Sequence, residues 1–278
     1  MPDITVPGES PVKLHYTDTG GDGRPVVLIH GWPLSGESWA HQTDALESAG
    51  HRVVTYDRRG FGRSDQPGTG NDYDTLSDDL AALLDQLDLR DAVIVGFSMG
   101  GGEVARYIGK HGTDRLAGAV LAAAVTPALA QTDSNPDGAM PQSGFEEMQE
   151  QCRADREGFL KEFMTTFFST EKGGLQVSAE ELDLALDITE QAEDTALVET
   201  IGIWGTDLRA DLEKCDVPLL VIHGDSDQNV PFAASGQRVP EFVPQAKVVE
   251  IAGGPHGINV SHAHQFNVAL LDFLRNLS

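Results

Sequence analysis

Positive charge is scarce in this chain: 278 residues carry 19 Lys+Arg against 44 Asp+Glu, a formal charge of −25. Nucleic acids and anionic lipid surfaces are gripped chiefly by Lys and Arg neutralising phosphate, so neither nucleic acid nor membrane is an expected partner. Small soluble domains commonly carry a net charge of only about 2 to 8, and the excess here fits either an ordinary acidic surface or adaptation to high salt. Cysteine is equally sparse. Cys152 and Cys215 stand alone, without a C-x-x-C pair, which argues against a disulfide framework and a zinc knuckle and leaves two inert thiols. Long apolar runs are missing too: LAGAVLAAAV, residues 116–125, falls far short of the roughly 18 needed to span a bilayer. The first residues, MPDITVPGES, show no basic region followed by an apolar stretch, so a cytoplasmic protein is expected.

What is present is a regular alternation. Short β-rich apolar runs occur at Val12–Tyr16, Val26–His30, Arg52–Asp57, Ala92–Phe97, Leu116–Ala124, Pro218–His223 and Lys247–Ile251, separated by stretches with helical periodicity. Leu76, Leu80, Leu83 and Leu87 form one helical stripe behind a polar cluster at Asn71–Asp72, and Phe266, Leu270, Phe273 and Leu277 form another. This pattern predicts an α/β fold with a mostly parallel central sheet covered by helices on both faces. The rhythm breaks at residues 126–211, where a polar loop precedes helical stretches containing Phe159, Phe163, Phe167 and Phe168. The expectation is a core formed by residues 1–125 and 212–278 with an inserted helical cap at 126–211.

One stretch carries chemistry. VIVGFSMGGG, residues 93–102, runs as a buried strand into Gly96-Phe97-Ser98-Met99-Gly100 and then into a helix, the arrangement of a nucleophile elbow. Ser98 would sit at a helix N-terminus, where free N–H groups favour developing negative charge. The absence of Gly-Lys-Ser/Thr and of a spaced G-x-G-x-x-G disfavours a phosphate loop. A serine hydroxyl needs a base oriented by a carboxylate. In such folds the order is Ser, acid, His, each after a strand. The run ending at His223 offers Asp225 and Asp227, which spacing alone does not separate, and the last strand leads to His256 in a glycine-flanked loop. His262 and His264, two apart, do not make a metal pair, and His30 and His223 read as structural. Two amides are expected to receive the oxyanion: Met99 after the nucleophile, and Trp32 in the loop following an earlier strand, whose N–H is spared because the missing donor belongs to Pro33.

These blocks together resemble an α/β-hydrolase of the cofactor-free, non-haem haloperoxidase, perhydrolase and aryl esterase group, through HGWPLSGESW, YDRRGFGRSDQP, GFSMGGGEVARYI and VIHGDSDQNVPF. The resemblance implies the α/β-hydrolase fold, Ser98, Asp227 and His256 as the catalytic residues, and the Trp32 and Met99 amides as the oxyanion hole. It selects Asp227 over Asp225 and gives the Asp57–Ser64 stretch a structural role. It further implies a serine hydrolase of small carboxylic esters, with hydrogen peroxide as an alternative acceptor, peracid formation and no cofactor or metal. Perhydrolases of the group often carry proline at the position of Pro33, where related esterases tend to carry leucine, which would move its carbonyl toward the pocket. Trp32, Pro33, Val125, Phe163 and Phe232 are the expected substrate-pocket residues. A lactam hydrolase, or a non-catalytic ligand receptor on the same fold, remains compatible with these residues, as does a homo-oligomer.

Overall fold

In the computed structural model eight strands form one sheet: β1 (Asp3–Val6), β2 (Val12–Asp18), β3 (Pro25–Ile29), β4 (Arg52–Tyr56), β5 (Ala92–Phe97), β6 (Leu116–Ala122), β7 (Leu219–Gly224) and β8 (Lys247–Ile251). The structure describes residues 2–8 and 10–277; Met1 and Ser278, the outer ends of the expected core, and Glu9 lie outside the described residues. The strand order is β1-β2-β4-β3-β5-β6-β7-β8, with β1–β2 and β2–β4 antiparallel and the remaining neighbours parallel. β5 and β7 are buried at every residue. Such continuously apolar strands are stable only between two covering layers.

Those layers are two separate cores on opposite faces. On one, α2 (Tyr73–Gln86) and α3 (Met99–His111) bury Leu76, Leu80, Leu83 and Ile108 against Val27, Val54 and Ile94. On the other, α1 (Ala40–Ser48) and α10 (Ala263–Arg275) bury Leu46, Phe266, Leu270 and Phe273 against Val26, Val93 and Val120. The alternation of partners follows from the pleat, which sends successive side chains of one strand to opposite faces. Leu87 and Leu277, the expected last members of the two stripes, lie just past the helix ends and are half-buried. α2 starts where Asp72 accepts the Thr75 amide at 2.9 Å, as an N-cap requires.

Between β6 and β7 the chain builds α4 (Gln142–Ala154), α5 (Arg156–Phe167), α6 (Ala179–Thr189) and α7 (Asp194–Ile203), then the short α8 (Arg209–Leu212), which packs on α3. The site residues sit below this helical layer, at the C-terminal ends of β3, β5, β7 and β8. A last short helix, α9 (Ile258–Ser261), precedes α10. Among the described residues no helix is long and apolar enough to cross a membrane.

Several strand expectations change: β2 runs on to Asp18 instead of ending at Tyr16, β3 spans Pro25–Ile29 instead of Val26–His30, β4 ends at Tyr56 instead of Asp57, and β7 ends at Gly224 instead of His223. β1 was not anticipated; its four residues alternate exposed and buried and pair with β2, a signal too short to read alone. β6 ends at Ala122 rather than Ala124, because Ala123 turns to φ 44° and leaves the ladder. β7 begins at Leu219 rather than Pro218, whose carbonyl instead accepts the Ala119 amide.

Candidate active site

β5 delivers Ser98 into a sharp turn: its φ and ψ are 55° and −119°, a conformation that L-residues hold only when the surroundings impose it. The flanking glycines explain how the turn closes. A Cβ on Gly96 would lie 2.3 Å from the Gly100 carbonyl oxygen, and one on Gly100 would lie 2.6 Å from the Ile29 carbonyl oxygen. Backbone cannot retreat from either contact. The Ser98 amide donates to the Ala122 carbonyl at 2.8 Å, which anchors the turn on β6.

Three side chains from distant segments meet here. Ser98 Oγ lies 2.9 Å from His256 Nε2, and His256 Nδ1 lies 2.7 Å from Asp227 Oδ2. Because Asp227 accepts, Nδ1 carries the proton and Nε2 is left to accept from the Ser98 hydroxyl. Asp227 Oδ1 takes the amides of Asn229 and Val230 at 2.9 and 2.8 Å. Burial pushes the Asp227 carboxyl up, but the neighbouring His256 and hydrogen bonds from His223 and His256 outweigh it and lower it to about 2. It is therefore ionised at neutral pH. Asp225 turns elsewhere and accepts the Gly253 amide and the Ser226 hydroxyl, both at 2.8 Å. A buried chain of hydroxyl, imidazole and carboxylate can activate the oxygen, since the imidazole takes its proton as it attacks.

The loop after β3 is pressed against this turn, with a Cβ on Gly31 falling 2.7 Å from the Phe97 ring and 3.0 Å from Ser98 Cβ. The amides of Trp32 and Met99 donate to no group among the described residues. Two unpaired N–H groups beside a serine are what a developing oxyanion requires. His30 fixes the first of them. Its Nε2 accepts the Arg58 amide at 3.0 Å, so its proton sits on Nδ1 and goes to the Gly31 carbonyl at 2.9 Å, the other end of the peptide that carries the Trp32 N–H. Burial, with the Arg58 charge, lowers His30 to about 3, so the ring is neutral. The Arg58 guanidinium also holds the His30 carbonyl at 2.8 Å and pairs with fully buried Glu103 at 2.8 Å, which Tyr56 bonds as well. Asp57 is committed to structure: it accepts the Gly36 and Arg63 amides and the Arg63 side chain.

Ser98 and His256 open onto a cavity of about 230 Å³. Its wall includes Val125 and Phe163, with Leu129, Met148, Phe159 and Trp204. Along α5 the lining residues Phe159, Glu162, Phe163 and Thr166 recur at helical spacing, a pattern visible in the sequence but indistinguishable there from core. Gln228 and Asn229, beside the acid, also line the cavity and were missed because a loop has no period to read.

Three expected pocket residues, Phe232, Pro33 and Trp32, are not brought to the cavity. Phe232 follows Pro231 into a short 3₁₀ turn and packs on the His223 ring at 5.3 Å, because the chain bends away after Val230. Pro33 is buried in the turn closed by the Leu34 amide on the Gly31 carbonyl and is outside the cavity lining. The peptide before it is cis. The Trp32 ring lies behind the wall, edge-on to Phe163 at 4.8 Å and Trp204 at 5.1 Å, with its indole N–H on the Leu197 carbonyl at 2.9 Å.

Comparison with known proteins agrees with this architecture. Residues 24–263 match the family model described as alpha/beta hydrolase fold. A non-haem chloroperoxidase of Kitasatospora aureofaciens is 42% identical, covering 95% of this chain and 96% of its own. A bifunctional esterase/perhydrolase of Acinetobacter calcoaceticus is 38% identical, covering 95% and 97%. The crystal structure of a bromoperoxidase from Bacillus anthracis superposes with a TM-score of 0.94 at 47% identity, over 99% of this chain and 100% of that one. The chain belongs to the α/β-hydrolase family, with non-haem haloperoxidases and esterase/perhydrolases among its relatives.

Proposed function

We propose that the protein is a serine esterase acting on small uncharged carboxylic esters, with hydrogen peroxide as an alternative to water in the second half of the reaction. The observation that carries this reading is the hydrogen-bonded series Ser98–His256–Asp227 ending in an apolar cavity. Ser98 Oγ attacks the ester carbonyl while its proton passes to His256 Nε2, and the oxyanion is received by the Trp32 and Met99 amides. His256 then protonates the leaving alkoxide, which leaves an acyl group on Ser98. Water or hydrogen peroxide next adds to that acyl carbon and gives its proton to His256. Collapse frees a carboxylic acid or a peracid and restores the serine hydroxyl. Run from a carboxylic acid, the same steps expel water and form the same acyl-enzyme. The peracid then oxidises halide in solution, passing one oxygen to it and reverting to the acid.

Among the described residues no lysine or arginine lines the cavity, and Glu162 stands at its wall, so neutral acyl groups suit it better than anionic ones. Pro33 lies outside the cavity, so any influence it has on peroxide is exerted through the shape of the loop that carries the Trp32 amide. The direct test is turnover of p-nitrophenyl acetate, with and without peroxide, by the native protein and by Ser98→Ala. Both activities are expected to vanish together in the variant. Persistence of either one refutes the shared acyl-enzyme.

A further inference from the structure

His223, next to the last residue of β7, is fully buried, and the reaction proposed above makes no use of it. Its Nε2 stands 3.1 Å from Asp227 Oδ2, the same oxygen that receives His256, and 2.9 Å from the Val230 carbonyl. Both neighbours accept, so Nε2 carries a proton and divides it between them. Among the described residues Nδ1 is buried without a partner, and a Cβ on Gly236 would fall 2.6 Å from it, so the 236–241 3₁₀ turn closes that side. A proton on Nδ1 would be an unpaired buried donor. The surroundings therefore satisfy only the neutral ring with its proton on Nε2.

We propose that His223 is a positioning residue whose shared N–H sets how firmly Asp227 holds the proton of His256. The proposal rests on Ser98, His256 and Asp227 being the reacting groups. Asp227 takes four donors: two amides on one oxygen, two imidazoles on the other. Each donor draws down the charge the carboxylate offers to the rest. With His223 removed, Asp227 would stabilise a protonated His256 more strongly and the base would be neutralised at higher pH. The other charged groups on the surrounding elements are engaged or distant. Asp225 bonds Ser226 and Gly253, Arg238 bonds Asn135 and the Ala234 carbonyl, and His262 bonds Ser261. Glu241 and Glu250, the latter in register with His223 on β8, are exposed, as is Glu162 on α5; His264 and Asp272 of α10 line an outer groove with Lys247.

The test is the pH profile of kcat/KM for ester hydrolysis in the native protein, His223→Phe and His223→Gln. Phenylalanine keeps a ring against Phe232 but donates nothing, so the acid-side midpoint is expected to rise by about half a pH unit. Glutamine, whose amide nitrogen reaches the Nε2 position, is expected to restore it. A folded His223→Phe with lowered kcat/KM and an unmoved midpoint would mean that His223 only packs, and would overturn the proposal. Should the variants fail to fold, imidazole ¹⁵N shifts of the native protein at pH 7 still decide: a proton on His223 Nε2 is expected, and one on Nδ1 is fatal. Ser98→Ala separates the two levels. If it stays active, the assignment of the reacting groups fails; if it is inactive and the midpoint is unmoved, only the role of His223 does.

Discussion

Stability below neutral pH should be governed in part by His30, although it is fully buried. In the native protein burial and the Arg58 charge lower it to about 3, whereas an unfolded histidine titrates near about 6.5. The unfolded chain therefore binds a proton that the folded one refuses, and stability is lost as pH falls from about 6.5 toward 3. At pH 5 the gap below 6.5 is about 1.5 pH units, which at 1.36 kcal/mol per unit amounts to about 2 kcal/mol. His30→Gln cannot take up that proton. The variant is expected to be less stable at pH 7.5, since it loses the bonds to Arg58 and Gly31, but its further loss on going to pH 5 should be smaller by about 2 kcal/mol. Urea unfolding followed by far-UV circular dichroism at pH 7.5, 6 and 5 measures both slopes. His51 and His262 are also lowered by burial, but they are common to the two proteins and cancel in the difference. Parallel losses in the native protein and the variant would refute the account of His30 as a buried neutral ring.

Other perturbations read the site more directly. Asp227→Asn places an amide where His256 needs an acceptor, and by analogy with serine proteases kcat/KM should fall by about 10⁴; a loss below about tenfold in esterase assays would contradict the orientation given to His256. Arg58→Ala leaves the Glu103 carboxylate buried without its partner, and urea unfolding should show a loss of about 3–5 kcal/mol, with a change under 1 kcal/mol speaking against that ion pair as the anchor of the loop. Pro33→Leu is expected to lower the ratio of perhydrolysis to hydrolysis by reshaping the loop that carries the Trp32 amide, and an unchanged ratio in parallel peracid and ester assays would remove Pro33 from the peroxide step.

The α/β class and most of the sheet were legible because their signals are short-ranged. The VIVGF run, the Leu76–Leu80–Leu83 stripe and the Phe266–Leu270–Phe273 stripe each declare their period within a dozen or so residues, and burial follows the period. Gly96 and Gly100 around Ser98 could be read for the same reason, since the turn they permit is local. β1 was not, because four alternating residues gain meaning only when β2 lies beside them.

The amino-acid order alone determined which residues had the chemistry to take part: one serine in a glycine-flanked strand-to-helix turn, two candidate aspartates after a late strand, and a histidine after the last. Spacing left open which of them meet, the resemblance pointed to Asp227, and the folded chain makes the contacts. It brought Asp227 to His256 and turned Asp225 to Gly253, sent Phe232 onto His223, and set the Glu162 face of α5 around the cavity. The physical reason is range. Periodicity and turn chemistry act between neighbours, whereas a hydrogen bond between residues 98 and 256 exists because parallel strands end at one edge of a sheet, and nothing within a window of sequence records that meeting.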